Sequence, residues 1–155
     1  MSFRRGVRLG VDVGSVRVGV ARCDPDGILA VPVATIARDS AGHTDIAQLA
    51  DFVREYDAIE VIVGLPITLS GEWGVAAETA HDFARTLAAV LAVPVRLVDE
   101  RLTTVSAQRN LHANGKDTRT TRSVIDQAAA VLIVQTAVDT EKSSGSPPGR
   151  VVAHE

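Results

Sequence analysis

The sequence predicts one α/β domain with a mixed five-stranded sheet and helices on both of its faces. Strand-like segments that alternate apolar and polar residues come first, and short apolar runs then alternate with helical patterns through the rest of the chain. Of the 155 residues, 46% are apolar and 23% are charged. This balance suits a compact domain with a sizeable core rather than a disordered or fibrous protein.

The first three predicted strands are antiparallel. The segments at 7–13 and 16–23 flank a turn at Gly14, which together predict a β-hairpin. The segment LAVPVATIA at 29–37 predicts a third strand. Its Pro32 favours an edge position or an irregularity in the sheet, because proline cannot donate a ladder hydrogen bond.

The rest of the chain predicts two buried strands and four helices. The runs EVIVGLP at 60–66 and VRLVDE at 95–100 are typical of buried strands, and the helices between them make this part of the sheet parallel. The second run brings Asp99 and Glu100 to its carboxyl end. The helices are predicted at 44–57, at about 75–91, from about 104 to 114, and at 123–138.

The predicted domain covers residues 1–140. The remaining residues 141–155, EKSSGSPPGRVVAHE, are rich in Ser, Gly and Pro and predict a disordered tail. We expect a cytoplasmic protein with no membrane partner, because the sequence has neither a secretory signal nor an apolar run near the ~20 residues of a membrane span. Cys23 is the only cysteine, so we expect a reduced, partly buried thiol and no intrachain disulfide.

The charge of the chain limits how it could contact nucleic acid. A net charge of −3 and a pI near 5.8 exclude a broadly basic surface, so any contact must be local. Aromatic residues make up only 3% of the chain, and we therefore do not expect base stacking to drive binding. The candidate phosphate-binding residues are arginines: Arg17, Arg101, Arg119 and Arg122.

Three acids are candidates for a common site. Asp12 and Glu100 each end a predicted strand, and Asp126 shares a helix face with apolar residues that should pack on the sheet. Each also has an ordinary structural explanation. Asp12 could form a turn, Glu100 could pair with Arg101, and Asp126 could interact favourably with the helix dipole. Two strand ends and a helix can nevertheless converge at one edge of a mixed sheet.

If the three acids converge, their chemistry favours hard divalent cations. Clustered carboxylates repel each other, and Mg²⁺ or Mn²⁺ would relieve that repulsion through oxygen ligands alone. Two such ions about 4 Å apart could activate a water and stabilise both oxygens of a phosphodiester displacement. The four histidines are scattered without zinc-site spacing, and neither the serines nor Cys23 has the setting of a covalent nucleophile.

Four motifs in order resemble the YqgF family. They are GVDVGSVRVGVA at 10–21, VIVGLP at 61–66, DERLTT at 99–104 and VIDQAAAVLIVQ at 124–135, and the resemblance covers roughly residues 7–140. The members of this family are small bacterial proteins of ribonuclease H-like fold, described both as Holliday junction resolvase-like proteins and as pre-16S rRNA nucleases.

The resemblance implies a metal-dependent nuclease domain at 1–140 with Asp12, Glu100 and Asp126 as its catalytic, metal-binding acids. It favours maturation of the 5′ end of pre-16S rRNA over cleavage of a four-way DNA junction, which would need a homodimer with two active sites. Two positions depart from the family pattern. Ser70 stands where many members have an Asp before the loop glycine, and Gln127 stands where a basic residue is common.

Two alternatives remain open from the sequence. The hairpin with Asp12, Gly14 and Gly19 is also similar to the phosphate-binding hairpin of sugar kinases and actin-like ATPases, although those proteins enclose a nucleotide between two lobes. The second alternative is a non-catalytic RNA-binding assembly factor that keeps its acids for structure. Substitution of Asp126 by Asn would abolish cleavage in a nuclease, whereas it would leave such a binding factor functional.

Overall fold

The computed structural model describes residues 3–102 and 119–152, and the side chains of residues 102 and 119–123 are outside that description. The strands are β1 (Arg8–Val13), β2 (Arg17–Cys23), β3 (Ala30–Ala37), β4 (Glu60–Leu65), β5 (Val95–Asp99) and β6 (Arg150–Val151). The helices are α1 (Thr44–Glu55), α2 (Val75–Val90) and α3 (Arg119–Ser144), and a 3₁₀ turn spans Glu100–Leu102. The helix predicted at 104–114 lies outside the described residues.

The strands form one mixed sheet in the order β3-β2-β1-β4-β5-β6. The first three strands are antiparallel, whereas β1, β4 and β5 are mutually parallel. The predicted hairpin and the edge position of the Pro32 strand are therefore confirmed. The prediction of five strands was one short, because the two-residue strand β6 pairs with Arg96 and Leu97 of β5.

Helices cover both faces of the sheet, as predicted. Helices α1 and α2 pack on one face around Leu9, Val11 and Leu87, while α3 covers the other face with Ala130 and Ile133. All six residues of β1 are buried, because this central strand has helices on both sides. No helix in the described ranges 3–102 and 119–152 is long and apolar enough to cross a bilayer.

The predicted disordered tail is wrong for residues 141–152. Helix α3 continues past residue 140 to Ser144, and the chain then returns to the sheet as β6. Val152 is buried in the core, and the carboxylate of Glu141 is almost fully buried. The Ser, Gly and Pro content predicted disorder, but it carried no information on these long-range partners.

A buried charge network holds this end of α3 against the sheet. Glu141 accepts hydrogen bonds from Arg4 Nη2 at 2.7 Å and from Arg8 Nη2 at 3.1 Å. Glu60 accepts from Arg4 Nη2 at 3.2 Å and from Arg96 Nε at 3.0 Å. Arg8, Glu60 and Glu141 are each at most 2% exposed. Removing one partner from such a network leaves a buried charge uncompensated.

This network should make stability depend on pH in the acid range. Burial alone raises the pKa of Glu141, but hydrogen bonds from Arg4 and the charge of Arg8 outweigh it and lower the pKa to about 2. An unfolded glutamate titrates near 4.3. Because the folded pKa is depressed, the contribution of Glu141 is complete above about pH 5 and is lost as the pH falls towards 2.

We expect Glu141→Gln to lower the free energy of unfolding by about 3 kcal/mol at neutral pH, because Arg8 would lose its buried counter-charge. The difference between wild type and variant should shrink as the pH falls through the window from about 5 to about 2. Urea unfolding of both proteins at neutral and acid pH measures it. A difference that stays constant down to acid pH would contradict an ionised, paired Glu141.

Candidate active site

Asp12 lies at the carboxyl end of β1 and faces α3. Its ladder partner on β2 is Gly19, and directly opposed residues of an antiparallel pair project from the same face. A Cβ atom built on Gly19 would lie 2.1 Å from the carbonyl oxygen of Asp126 and 3.0 Å from its Cβ. The absent side chain of Gly19 therefore allows Asp126 to lie directly over the strand next to Asp12.

Glu100 reaches the same face from the other side of β1. A Cβ atom built on Gly64 would lie 2.6 Å from Cδ1 of Ile133 in α3 and 3.1 Å from Cγ of Glu100. Val11 pairs with Val63 in the parallel ladder, so Asp12 and Gly64 follow one residue further along neighbouring strands. With strands about 4.8 Å apart, Asp12 lies between the positions of Asp126 and Glu100.

The structure therefore brings the three predicted acids to one edge of one sheet face. Asp12 is 6% exposed and Glu100 is 1% exposed, so two of the three are buried. The side chain of Asp126 is 22% exposed and accepts a hydrogen bond from Arg17 Nε at 2.9 Å. In this arrangement, no group of three His, Cys, Asp or Glu side chains among the described residues is placed to hold a metal ion.

The surroundings of Glu100 disfavour its charged form. Burial raises the pKa of this carboxyl to about 7, and the negative charge of Asp99 adds to the rise. Asp99 itself has a lowered pKa, because Arg101 donates hydrogen bonds to it. A divalent cation is the kind of partner that stabilises a buried carboxylate. The oxygen donors Asp12 and Glu100 thus fit a hard cation, and Asp126 would complete the set only after its carboxylate turned from Arg17.

Two of the four arginines that we predicted to bind phosphate have described side chains, and each of these two is paired with an acid. Arg17 is bonded to Asp126, and Arg101 Nη2 lies 2.6 Å from Oδ2 of Asp99. Both guanidinium groups stay partly exposed at the acidic edge of the sheet. Arg119 and Arg122 belong to α3, but their side chains are outside the described part of the chain, so their role stays a prediction.

The sequence profile described as "RuvX: Holliday junction resolvase" matches residues 6–140 of this chain. The chain belongs to the RuvX family. RuvX and YqgF are names of one family, so the resemblance drawn from the four motifs is confirmed.

Relatives of the RuvX family match nearly the whole chain. A protein of Clavibacter michiganensis is 51% identical over 150 residues, which cover 97% of this chain and 93% of its own. A protein of Streptomyces coelicolor is 56% identical over 153 residues, with coverages of 97% and 90%. Both are named, provisionally, as pre-16S rRNA nucleases.

A solved structure of low sequence identity has a similar fold. Thermus thermophilus RuvC in complex with a Holliday junction substrate matches with a TM-score of 0.57 and 14% identity, covering 92% of this chain and 99% of RuvC. At that identity the match concerns the fold alone. It confirms the predicted ribonuclease H-like fold.

The two departures from the RuvX family pattern occupy different surroundings. Gln127 donates a hydrogen bond to Thr35 Oγ1 at 3.0 Å, so it links α3 to the edge strand β3. Ser70 lies in the exposed loop after β4, where its hydroxyl is 3.0 Å from Thr68 Oγ1. Neither residue is one of the three acids.

Sequence reasoning missed Arg38, which holds the turn between Asp12 and Arg17. Its backbone N–H donates to Val16 O at 2.9 Å, and Nη1 donates to Gly14 O at 2.8 Å. The guanidinium also lies 3.4 Å from Asp45. No local pattern marks Arg38, because its partners lie in other elements of the chain.

Proposed function

We propose that this chain is a metal-dependent nuclease that hydrolyses nucleic-acid phosphodiesters and matures the 5′ end of pre-16S rRNA in the cytoplasm. The observation that carries the proposal is the convergence of Asp12, Glu100 and Asp126 on one sheet edge, in a chain of the RuvX family. The names of the close relatives support rRNA as the substrate.

Each acid has a distinct part in the proposed site. Asp12 at the end of β1 and Glu100 directly after β5 would bind Mg²⁺ or Mn²⁺, which would supply Lewis-acid activation of water and positive charge at the phosphate. Asp126 would complete the ligand set from α3. Its present partner Arg17 would then turn to the phosphate backbone of the substrate, where a guanidinium binds two oxygens at once.

Cleavage of a four-way DNA junction by a homodimer is the second candidate function. The description of the matching family favours it, since that description names a Holliday junction resolvase. Symmetric cleavage requires two copies of the acidic site in one assembly. Sedimentation of the protein with and without a junction distinguishes a dimer that binds branched DNA from a monomer.

The test is a parallel cleavage assay with a precursor 16S rRNA fragment and a four-way DNA junction, each with Mg²⁺, Mn²⁺ or a chelator. The proposal expects metal-dependent cutting of the RNA that is lost in Asp12→Asn. Metal-dependent cutting of the junction alone would assign the resolvase function. Binding of RNA without cutting under any of these conditions would favour a non-catalytic assembly factor.

Arg17→Ala should weaken RNA binding and reduce its dependence on salt. Loss of one phosphate contact lowers the slope of log Kd against log salt concentration by about 0.7 for a single strand. Fluorescence anisotropy of a labelled RNA between roughly 50 and 200 mM salt measures the slope. Arg5→Ala is the matched control, because Arg5 pairs with Asp26 in an exposed contact at the opposite end of the sheet.

If the salt dependence of RNA binding were unchanged in Arg17→Ala, Arg17 would not contact phosphate, and its role would be to pair with Asp126. The stability of the variant should change by less than about 1 kcal/mol, since the ion pair is partly exposed to solvent.

A further inference from the structure

The loop between β4 and α2 contains a tightly hydrogen-bonded turn. Thr68 N donates to Glu72 O at 3.1 Å, Gly71 N donates to Thr68 O at 2.8 Å, and Glu72 N donates to Thr68 Oγ1 at 3.0 Å. Gly71 has a φ of 88°, a value that favours glycine. Three hydrogen bonds therefore tie Thr68 to Gly71 and Glu72 within this turn.

The loop and the first residue of α2 expose large apolar side chains. Leu69 is 93% exposed, Val75 is 84% exposed and Trp73 is 40% exposed. The indole of Trp73 contacts the ring of His81 edge-on, with the ring centroids 5.4 Å apart and the planes at 62°. Exposed apolar side chains that lie close together in sequence are candidates for a binding surface.

The turn lies beside the candidate active site. Leu65, the last residue of β4, pairs with Asp99, which directly precedes Glu100. A Cβ atom built on Gly71 would lie 3.5 Å from Arg101 Nη1. A nucleic-acid strand with one phosphate at the three acids and the next phosphate near Arg101 would therefore have its bases beside the turn.

We propose that Trp73 stacks on an unpaired base of the substrate strand, so that the site selects single-stranded nucleic acid next to the bond to be cut. This inference rests on the proposed nuclease function and specifies its substrate class. One exposed indole is enough for such a contact, because every base has a π-face. The low aromatic content of the chain, 3%, therefore still allows a single stacking contact.

The chemistry of the contact distinguishes an unpaired strand from a duplex. Bases in a duplex are stacked on each other and have no free face, whereas an unpaired base can lie flat on an aromatic ring. The guanidinium of Arg101 is partly exposed but bonded to Asp99, and it would turn from Asp99 to bind the phosphate between the stacked and the cleaved nucleotide. The contact does not read the 2′-hydroxyl, so single-stranded DNA should bind through it as well.

Trp73 is the only tryptophan of the chain, so its intrinsic fluorescence reports the proposed contact directly. We would titrate the protein with an unstructured RNA of about 16 nucleotides, with the same DNA sequence, and with the RNA duplex. Wild type in chelator and Asp12→Asn in Mg²⁺ both avoid cleavage during the titration. The proposal expects both single strands to quench the emission and the duplex to do so much less.

Variants then separate stacking from general binding. Trp73→Ala should weaken the affinity for the labelled single strand roughly ten-fold, whereas Trp73→Phe should retain most of it. Ile28→Ala is the control, because Ile28 is also an exposed apolar residue, 73% accessible, but lies at the opposite end of the sheet. Its affinity should match that of wild type.

Two results would overturn the proposal: equal quenching by the duplex, or wild-type affinity for the single strand in Trp73→Ala. If either appears while metal-dependent cleavage persists, the stacking contact is wrong and the nuclease function stands. If quenching occurs but neither substrate is ever cut, the strand-binding surface stands and the nuclease function fails.

Discussion

Asp12→Asn is expected to reduce metal-dependent cleavage by at least about 100-fold while the protein stays folded. Even residues that only orient metal ligands cost 10- to 100-fold when they are replaced, so loss of a direct ligand should cost more. Asp12 occupies the central position of the three acids, between the positions reached by Asp126 and Glu100. The amide keeps the size of the side chain and removes the charge that binds a divalent cation.

Thermal unfolding provides a readout that is independent of the substrate. A ligand that binds only the folded state raises the Tm, by an amount that grows with the logarithm of the ligand concentration relative to its Kd. Saturating Mg²⁺ or Mn²⁺ should therefore raise the Tm of the wild-type protein, and the shift should disappear in Asp12→Asn. Cleavage and metal-dependent Tm measured on the same preparations show whether the two losses occur together.

Asp51→Asn is the matched control for charge. Asp51 pairs with Arg54 on the exposed side of α1, and its side chain is 69% exposed. An exposed pair contributes at most about 1 kcal/mol, so this variant should keep both the cleavage rate and the metal-dependent Tm shift. Full activity in Asp12→Asn would show that the reaction does not occur at this cluster.

The sequence was most informative where local patterns determine the structure. Alternation and apolar runs predicted the positions of β1, β2 and β4 within one or two residues, because burial on one or both faces imposes those patterns. The positions of the predicted strand ends also made Asp12 and Glu100 candidates for a common acidic site. In a sheet with parallel strands, carboxyl ends meet at one edge, so the acids could be grouped before any contact was known.

Pairings between distant residues could not be predicted in this way. The salt bridge between Arg17 and Asp126 spans 109 positions in sequence, and the contact between Arg4 and Glu141 spans 137. The sequence around either residue of such a pair does not indicate which distant residue is its partner. The strand β6 was missed for the same reason, since two residues are too few to show alternation.

Two glycines of the first two strands also indicate close packing of a helix on the sheet. Gly10 and Gly19 lie under α3, where a Cβ on Gly10 would be 2.5 Å from the carbonyl oxygen of Ala130. Glycine inside a strand often marks a close approach of another backbone. These two positions set how near α3, and with it Asp126, comes to the sheet.

Gly19→Ala is accordingly expected to lower the free energy of unfolding by about 3 kcal/mol, the upper end of the range for overpacked cores. The added methyl would meet the backbone oxygen of Asp126 at 2.1 Å, and a backbone group cannot rotate away as a side chain does. Either α3 moves outward or the strand bends. A shift of about 1 Å at Asp126 should also lower the cleavage rate about 100-fold.

Gly74→Ala separates this steric effect from the general effect of replacing glycine. Gly74 has extended backbone angles at the start of α2, and a Cβ atom there would meet nothing within 4 Å. We expect Gly74→Ala to lower the free energy of unfolding only as much as a weaker helix cap does, by about 1 kcal/mol or less. Urea unfolding of both variants measures the difference. If Gly19→Ala were as stable and active as Gly74→Ala, the close contact between α3 and β2 could not be what positions Asp126.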